Sequence, residues 1–322
     1  MTAVEVVGLG RDFVSSGRRV TALDRVDLTV AEGEIVALLG ENGAGKTTLT
    51  KILATLLLPS RGTARIFGVD VTERPQEVRR HQSVVFGGER GFYHRLSARE
   101  NLRFFALLDG APPRGLRQLV DRSLERAGLA DAAGRAVETY SRGMRQRLHL
   151  AVGFATRPRL MLLDEPTLGL DPVEAARLRA EISALRDQGV TILLTSHHLL
   201  DVEELADRVV ALHGGRVVED LPLADFTRRA GFAAVITVTG HGPRPEPRTG
   251  HGIRIRDEGP AGGPGEGEGA GGWTLVIEIE EWGMVALGGI GALLDGCEVT
   301  GFDVAPARLE DSFRRLYESP RR

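Results

Sequence analysis

Apolar residues along the first two thirds of the chain fall into short blocks. Val4 to Leu9 alternates with polar neighbours and Val26-Asp-Leu-Thr-Val30 alternates cleanly, the period-two pattern of strands with one buried face. Residues 3 to 39 therefore read as short strands, with a turn at Ala31-Glu-Gly33. Ile35-Val-Ala-Leu-Leu39, Leu160-Met-Leu-Leu163 and Val190-Thr-Ile-Leu-Leu-Thr195 are almost wholly apolar, as strands covered on both faces of a parallel sheet are. Leu49, Ile52, Leu53 and Leu56 recur at helical spacing after the first of these. Pro59-Ser-Arg-Gly62 breaks the chain, Thr63 to Val69 resumes as strand, and Ser83 to Phe86 is a short buried strand. Helical patterns follow over Ala98 to Leu108, Arg117 to Ala127 and Met144 to Ala155, the last with Leu148, Ala151, Val152 and Ala155 on one face. Val209 to Leu212 with Gly214-Gly215 closes this region near residue 220. The pattern predicts an α/β fold with a mostly parallel sheet, an N-terminal antiparallel β part and a helical lobe inserted at about residues 94–156.

Residues 221–322 differ in composition. Val235 to Val238, Ile253 to Ile255, Thr274 to Ile279 and Glu298 to Val304 read as strands, and Ala307 to Tyr317 as a helix burying Leu309, Phe313 and Leu316. Residues 257–272 are nearly all Gly, Pro, Glu and Ala, too polar and flexible to pack, so a mobile loop is expected there. A small C-terminal α+β appendage results, of about a hundred residues.

Candidate chemistry begins where the first fully apolar strand ends. Gly40-Glu-Asn-Gly-Ala-Gly-Lys-Thr-Thr48 joins that strand to a helix, the context in which a phosphate-binding loop has to sit. Glycines at 40, 43 and 45 let successive N–H groups turn inward toward a polyphosphate, and the following helix presents its positive end. Lys46 can reach the β- and γ-phosphates and Thr47 can ligate Mg²⁺, which makes the core that of a P-loop NTPase.

The other strand ends carry matching groups. Asp164 follows the second apolar strand, where ligands bind in parallel sheets, and an acid there holds Mg²⁺. Glu165 beside it can take a proton from an attacking water. His197, after the third strand, should emerge next to Asp164 and contact the γ-phosphate; His198 reads as structural. Phe13 fits two readings equally, an edge residue capping a sheet or an aromatic plate for a base. Tyr140-Ser-Arg-Gly-Met-Arg-Gln-Arg147 also fits two: Ser141 caps a helix beginning near Met144, and with Gly143 it makes a helix end fit for phosphate. That second element lies on the helical lobe, away from Lys46, so contact with the same nucleotide implies a second molecule.

Charge and composition narrow the partners. Lys and Arg number 41 against 44 Asp and Glu, a net charge of -3, so no nucleic-acid partner is expected. Cys297 is the single cysteine, which excludes an internal disulfide and points to a reducing cytosol. No stretch of 18 apolar residues and no basic-then-apolar N-terminus occur, so any membrane role is expected to come through a partner.

Gly40 to Thr48, Tyr140 to Met144, Asp164-Glu165, Leu168-Gly-Leu-Asp171 and Ser196-His197, in this order, resemble the nucleotide-binding subunit of an ABC transporter over residues 4 to about 220. The resemblance implies an ABC ATPase domain at 1–220 with an accessory domain at 221–322. It also implies a head-to-tail dimer, expected to be a homodimer, with two ATP at its interface and Mg²⁺ as cofactor. Gly40, Asn42, Gly43, Gly45, Lys46, Thr47 and Thr48 become the nucleotide loop, Phe13 the base-stacking aromatic, and Thr47 with Asp164 the Mg²⁺ ligands. Glu165 becomes the general base, His197 the γ-phosphate sensor, Ser141 and Gly143 the contacts made from the other copy, and Asp171 the residue that communicates across the interface. A transmembrane permease becomes the partner, and the cytoplasmic face of the membrane the location.

Two departures stand out. The family's Gln after the Ser83 to Phe86 strand is replaced by Gly88, or Gly87 in another registration; Gln82 lies before the strand, and Glu89 is a candidate substitute. The signature carries Arg142 and Met144, which with Arg145-Gln-Arg147 and Leu309-Glu-Asp-Ser-Phe313 is similar to exporters of drugs, lipids or polysaccharides. Gly88 to Tyr93 is the expected permease dock, with Phe92 and Tyr93 either contacts or lobe core. The competing readings are a soluble ABC ATPase of translation or DNA repair, a nucleotide-binding regulator with little turnover, and a P-loop kinase.

Overall fold

The computed structural model describes residues 1–15, 17–86, 91–108, 110–155, 158–229, 231–242, 245, 253–256 and 272–318, in two compact units, Met1–Leu223 and Ala224–Arg322. The first unit opens with β1 (Thr2–Ser15) and β2 (Arg18–Ala31), then β3 (Ile35–Leu39), α1 (Lys46–Leu53), β4 (Arg61–Ile66), β5 (Val69–Asp70), α2 (Pro75–His81) and β6 (Gln82–Phe86). The lobe helices α3 (Ala98–Leu108), α4 (Leu116–Arg126) and α5 (Arg142–Ala155) come next. After them run β7 (Leu160–Asp164), α6 (Pro172–Arg186), β8 (Thr191–Thr195), α7 (Leu199–Leu205), β9 (Arg208–His213) and β10 (Arg216–Pro222).

Two sheets organise this unit. One is antiparallel, in the order β2-β1-β4-β5; the other, β10-β9-β3-β8-β7-β6, is parallel except for β10. Every residue of β3, β7 and β8 is buried, which is why these strands read as unbroken apolar runs. Leu49, Ile52 and Leu53 of α1 share one core with Val4, Val6, Leu9 and Leu28 of the hairpin, so the phosphate-loop helix is clamped between the two sheets. Leu102, Leu116, Leu124 and Leu148 centre a separate core in the lobe.

Several boundaries differ from expectation. The hairpin strands are 14 residues each, not short, because register shifts between Val6 and Leu9 and between Leu9 and Arg11, with Gly8 at φ 55°, break the alternation without ending the pairing. Helix α1 stops at Leu53; Thr55 has φ 61° and Leu56 is 60% exposed, so Leu56 is not on the buried face. Helix α5 starts at Arg142, one residue after Ser141 and earlier than Met144. Gln82 is the first residue of β6 rather than a residue before it.

The second unit holds α8 (Leu223–Arg228), whose first residue closes the first unit, then β11 (Ala234–His241), β12 (Ile253–Arg256), β13 (Gly272–Ile279), α9 (Met284–Leu294), β14 (Glu298–Pro306) and α10 (Leu309–Glu318). Its antiparallel sheet runs β12-β13-β11-β14, and Ala286, Ile290 and Leu293 of α9 pack on Ile236, Val238, Leu275 and Ile277. In α10, Leu309 is buried and Phe313 half-buried, while the Leu316 side chain lies outside the described residues. So does the expected mobile loop, except Gly272, which begins β13.

Candidate functional site

The loop between β3 and α1 is shaped by its glycines. Gly40, Gly43 and Gly45 have φ of 150°, 86° and 107°, and Gly45 is the N-cap of α1, which has no side-chain cap. A Cβ on Gly45 would come 2.6 Å from the Ala22 carbonyl oxygen, and one on Gly40 would overlap that of Leu212. Around Gly43 there is open space. Two glycines are thus needed for close packing, while the first-turn N–H groups of α1 remain available to an anion.

Lys46 is buried, and its Nζ donates to the carbonyls of Gly40 at 2.6 Å and Glu41 at 3.1 Å. Burial lowers its pKa, and the charges of Glu165 and Asp164 partly offset that. Parallel pairing brings the strand ends level: Phe86, Asp164 and Thr195 are register partners across β6, β7 and β8. Asp164 Oδ1 accepts from Thr195 Oγ1 at 2.6 Å and lies 3.4 Å from Thr47 Oγ1. No cluster of three or more His, Cys, Asp or Glu fit to hold a metal occurs among the described residues. A hydroxyl and a carboxylate at this separation still suit Mg²⁺, which takes most of its ligands from water and substrate phosphates.

Glu165 has φ 54°, and its N–H donates to the Thr195 carbonyl at 3.0 Å and to Thr195 Oγ1 at 3.1 Å. The carboxylate is held by His197, whose N–H donates to Oε2 at 2.9 Å and whose Nε2 lies 3.2 Å from Oε1. The expected neighbourhood of His197 and Asp164's strand is therefore present, with Glu165 as the immediate partner. Phe13 opposes Val20 in the hairpin, two residues from the Ala22 that packs on Gly45. Arg11 lies over its ring at 4.6 Å, and the ring is 37% exposed.

Ser141 and Gly143 are not brought to this cluster. Ser141 Oγ accepts the Met144 N–H at 3.2 Å, so it caps its own helix, and Gly143 lies against Glu174, where a Cβ would come 3.0 Å from Cγ. Asp171 caps α6, with Oδ1 accepting the N–H groups of Val173 and Glu174 at 3.0 Å each. Gly87, Gly88 and Glu89 lie outside the described residues. Gln82 pairs with Leu160, at the opposite end of the strand from Asp164, and gives its Nε2 to the Leu53 carbonyl at 3.0 Å, so it cannot serve the site.

Phe92 is lobe core, 8% exposed and stacked 4.0 Å from the ring of His149, whose pKa burial pushes down to about 4. Tyr93 is 52% exposed and edge-on to Phe104. Thr195 escaped the sequence reading although its place was readable, as the last, polar residue of an apolar strand ending beside Asp164.

Comparison with known proteins accords with this geometry. The family described as ABC transporter matches residues 23–168. The ABC transporter ATP-binding protein NatA of Bacillus subtilis is 38% identical over 215 residues, covering 67% of this chain and 87% of that protein. The daunorubicin/doxorubicin resistance ATP-binding protein DrrA of Streptomyces peucetius is 42% identical over 218 residues, covering 68% and 64% respectively. A solved ATP-binding subunit of an ABC transporter aligns with TM-score 0.63 and 31% identity over 71% of this chain and 93% of that one. With a phosphate loop, an acidic pair and a histidine meeting at parallel strand ends, the chain belongs to the ATP-binding, ATP-hydrolysing subunits of ABC transporters.

Proposed function

We propose that this chain is the motor of an exporter, pairing with a second copy around two ATP and driving a separate transmembrane permease from the cytoplasmic face of the membrane. Residues 1–220 are the ATPase domain and 221–322 an accessory domain. The observation that carries the reading is the division of the site: Lys46, Thr47, Asp164, Glu165 and His197 share one cluster, whereas Ser141 and Gly143 head a helix elsewhere. A second copy supplies the missing side. The resistance and transport functions in the names of the relatives favour export of an amphipathic drug-like cargo, chosen by the permease. No described helix is long and apolar enough to cross a membrane, so the path for the cargo is assigned to that partner.

In this reading Lys46 leaves the Gly40 and Glu41 carbonyls for the phosphates, and Phe13 stacks on the base through the face that Arg11 leaves open. Thr47 and Asp164 would hold Mg²⁺, which neutralises charge on the phosphoryl oxygens when bound. Glu165 orients the attacking water and takes its proton, while His197 fixes the carboxylate and faces the γ-phosphate. Asp171 relays the state of one pocket to the other.

Phosphate release measured across protein concentrations tests this. The specific rate should climb as the cassettes pair. Glu165→Gln should cost on the order of a hundredfold or more and accumulate an ATP-bound dimer. Full turnover by a monomer, indifferent to concentration and to Ser141→Ala, refutes it. For the permease, the expected result is co-purification of one hydrophobic subunit from solubilised membranes; a ribosome or DNA complex instead refutes the transport reading.

A further inference from the structure

Behind the strand ends lies a buried polar knot that the ATPase reading leaves without a role. Asp201, in α7, is 0% exposed, and its neighbours Thr167, Ser196 and Arg179 are 3%, 1% and 8% exposed. Asp201 Oδ2 accepts from Thr167 Oγ1 and, at 2.8 Å, from Ser196 Oγ. Its Oδ1 accepts from Arg179 Nη1 of α6 at 3.0 Å, and Arg179 Nε reaches Glu204 Oε2 at 2.5 Å. Ser196 Oγ also accepts the His198 N–H at 3.0 Å, and the Asp201 N–H donates to the His198 carbonyl at 3.0 Å.

The sequence positions of these partners matter. Thr167 is two residues after Glu165 and four before Asp171; Ser196 immediately precedes His197. One carboxylate oxygen therefore ties together two segments from different strands, one carrying the base and the interface residue, the other carrying the histidine that holds the base. A carboxylate with no exposed surface is costly to bury unless paired. Arg179 and two hydroxyls satisfy it, so the knot is a stiff link rather than a solvated contact.

We propose that Asp201 is a positioning residue for ATP hydrolysis: by holding Thr167 and Ser196 on one oxygen it makes the Glu165 segment, the Asp171 turn and the His197 turn move as one body. Asp201 touches no reacting atom; it acts through the 2.9 Å contact between the His197 N–H and the Glu165 carboxylate. The proposal rests on the reading of Glu165 as general base given above. A residue of this kind governs the fraction of bound ATP that meets an aligned base, so it bears on kcat while nucleotide affinity, set at the Gly40 to Thr48 loop, stays put.

The test is steady-state ATPase kinetics and thermal unfolding of the full chain for Asp201→Asn, Thr167→Val, Thr167→Ser and the double variant Asp201→Asn/Thr167→Val, with Glu165→Gln alongside. The expected result is a kcat loss of between about ten- and a hundredfold for Asp201→Asn and Thr167→Val, with KM for ATP within about twofold. Thr167→Ser, which keeps the hydroxyl, retains near-native kcat, and the double variant is no slower than its slower parent. Wild-type kcat in folded Thr167→Val, or losses in Thr167→Ser equal to those in Thr167→Val, overturns the proposal and leaves the base assignment standing. Turnover that survives Glu165→Gln overturns the site reading and this proposal together.

Discussion

Thr195→Val separates the support of the acidic pair from the pair itself. The two side chains have the same shape at a residue 1% exposed, so no cavity opens; what is lost is the hydroxyl, which donates to Asp164 Oδ1 at 2.6 Å and accepts the Glu165 N–H at 3.1 Å. The Glu165 N–H keeps the Thr195 carbonyl at 3.0 Å, and the backbone turn should survive. A hydrogen bond to a charged group contributes about 1.5–3 kcal/mol, and here its loss leaves Oδ1 only the 3.4 Å approach of Thr47. Without that donor the Asp164 carboxylate is free to turn away from the metal position. Orientation dominates at supporting residues of metal ligands, where losses of about 10- to 100-fold are typical, which matches about 1.4 kcal/mol per decade. The assay is Mg²⁺ dependence of ATP hydrolysis at saturating ATP, with binding of a fluorescent nucleotide in Mg²⁺-free buffer as control. Half-saturating Mg²⁺ should rise about tenfold or more while metal-free binding is unchanged, and Thr195→Ser should restore it. An unchanged Mg²⁺ requirement refutes the assignment of Asp164 as the ligand that Thr195 orients.

Two further outcomes are expected. Gly40→Ala should destabilise the chain by about 2–5 kcal/mol, from positive φ plus overlap with the Leu212 carbonyl, whereas Gly43→Ala, with open space around it, should cost only about 1–2 kcal/mol of backbone strain. Urea unfolding midpoints check the order, and equal shifts contradict it. Glu181 is pushed up to about 7, first by burial, with Glu174 adding to it and Arg147 and Arg126 opposing. Its folded pKa is raised, so the stability it contributes is complete below its ordinary value near 4.5 and is lost as pH rises through about 7. Glu181→Gln should therefore flatten the pH dependence of the thermal midpoint between about 5 and 7 and stabilise the chain at pH 8 by about 1 kcal/mol after solvent screening; an unchanged profile contradicts it.

What was legible in the chain followed from burial on two faces. β3, β7 and β8 leave apolar runs because no side of them meets water, and the polar residues at their ends then stand out. That is why the pattern alone predicts Lys46, Asp164, Glu165 and His197 to lie together. Helix α6 was not among the helices expected, although Asp171 as cap, Pro172 in the first turn and Ala175, Leu178, Ile182 and Leu185 on one face mark it. Helix α9 left no such trace: Met284 to Leu294 has no charged residue and three glycines, so neither face is marked. Asp201 was invisible for another reason. Its burial depends on Thr167, Ser196 and Arg179, which come from three segments, and no local pattern records that meeting.

Three of the side chains assigned to the nucleotide already hold partners within the single chain, and this bears on how the site works. Lys46 is bonded to its own loop, Asp171 to the amides of its own helix, and Glu165 lies between Thr195 and His197. At these side chains ATP exchanges contacts, while the first-turn amides of α1 gain theirs anew, and an exchanged hydrogen bond contributes only about 0.5–1.5 kcal/mol net. Lys46 is the exception. Burial lowers its proton affinity, so its ammonium is undersolvated in the loop and gains more from a polyphosphate than the two carbonyls can return. Asp171 differs, because it accepts both helix amides on Oδ1 and its second oxygen can meet another group while the cap stays whole. Charge at Lys46 should thus set ATP affinity, while Asp171 and Ser141 should set how tightly closure follows, and the two can be tuned apart by substitution.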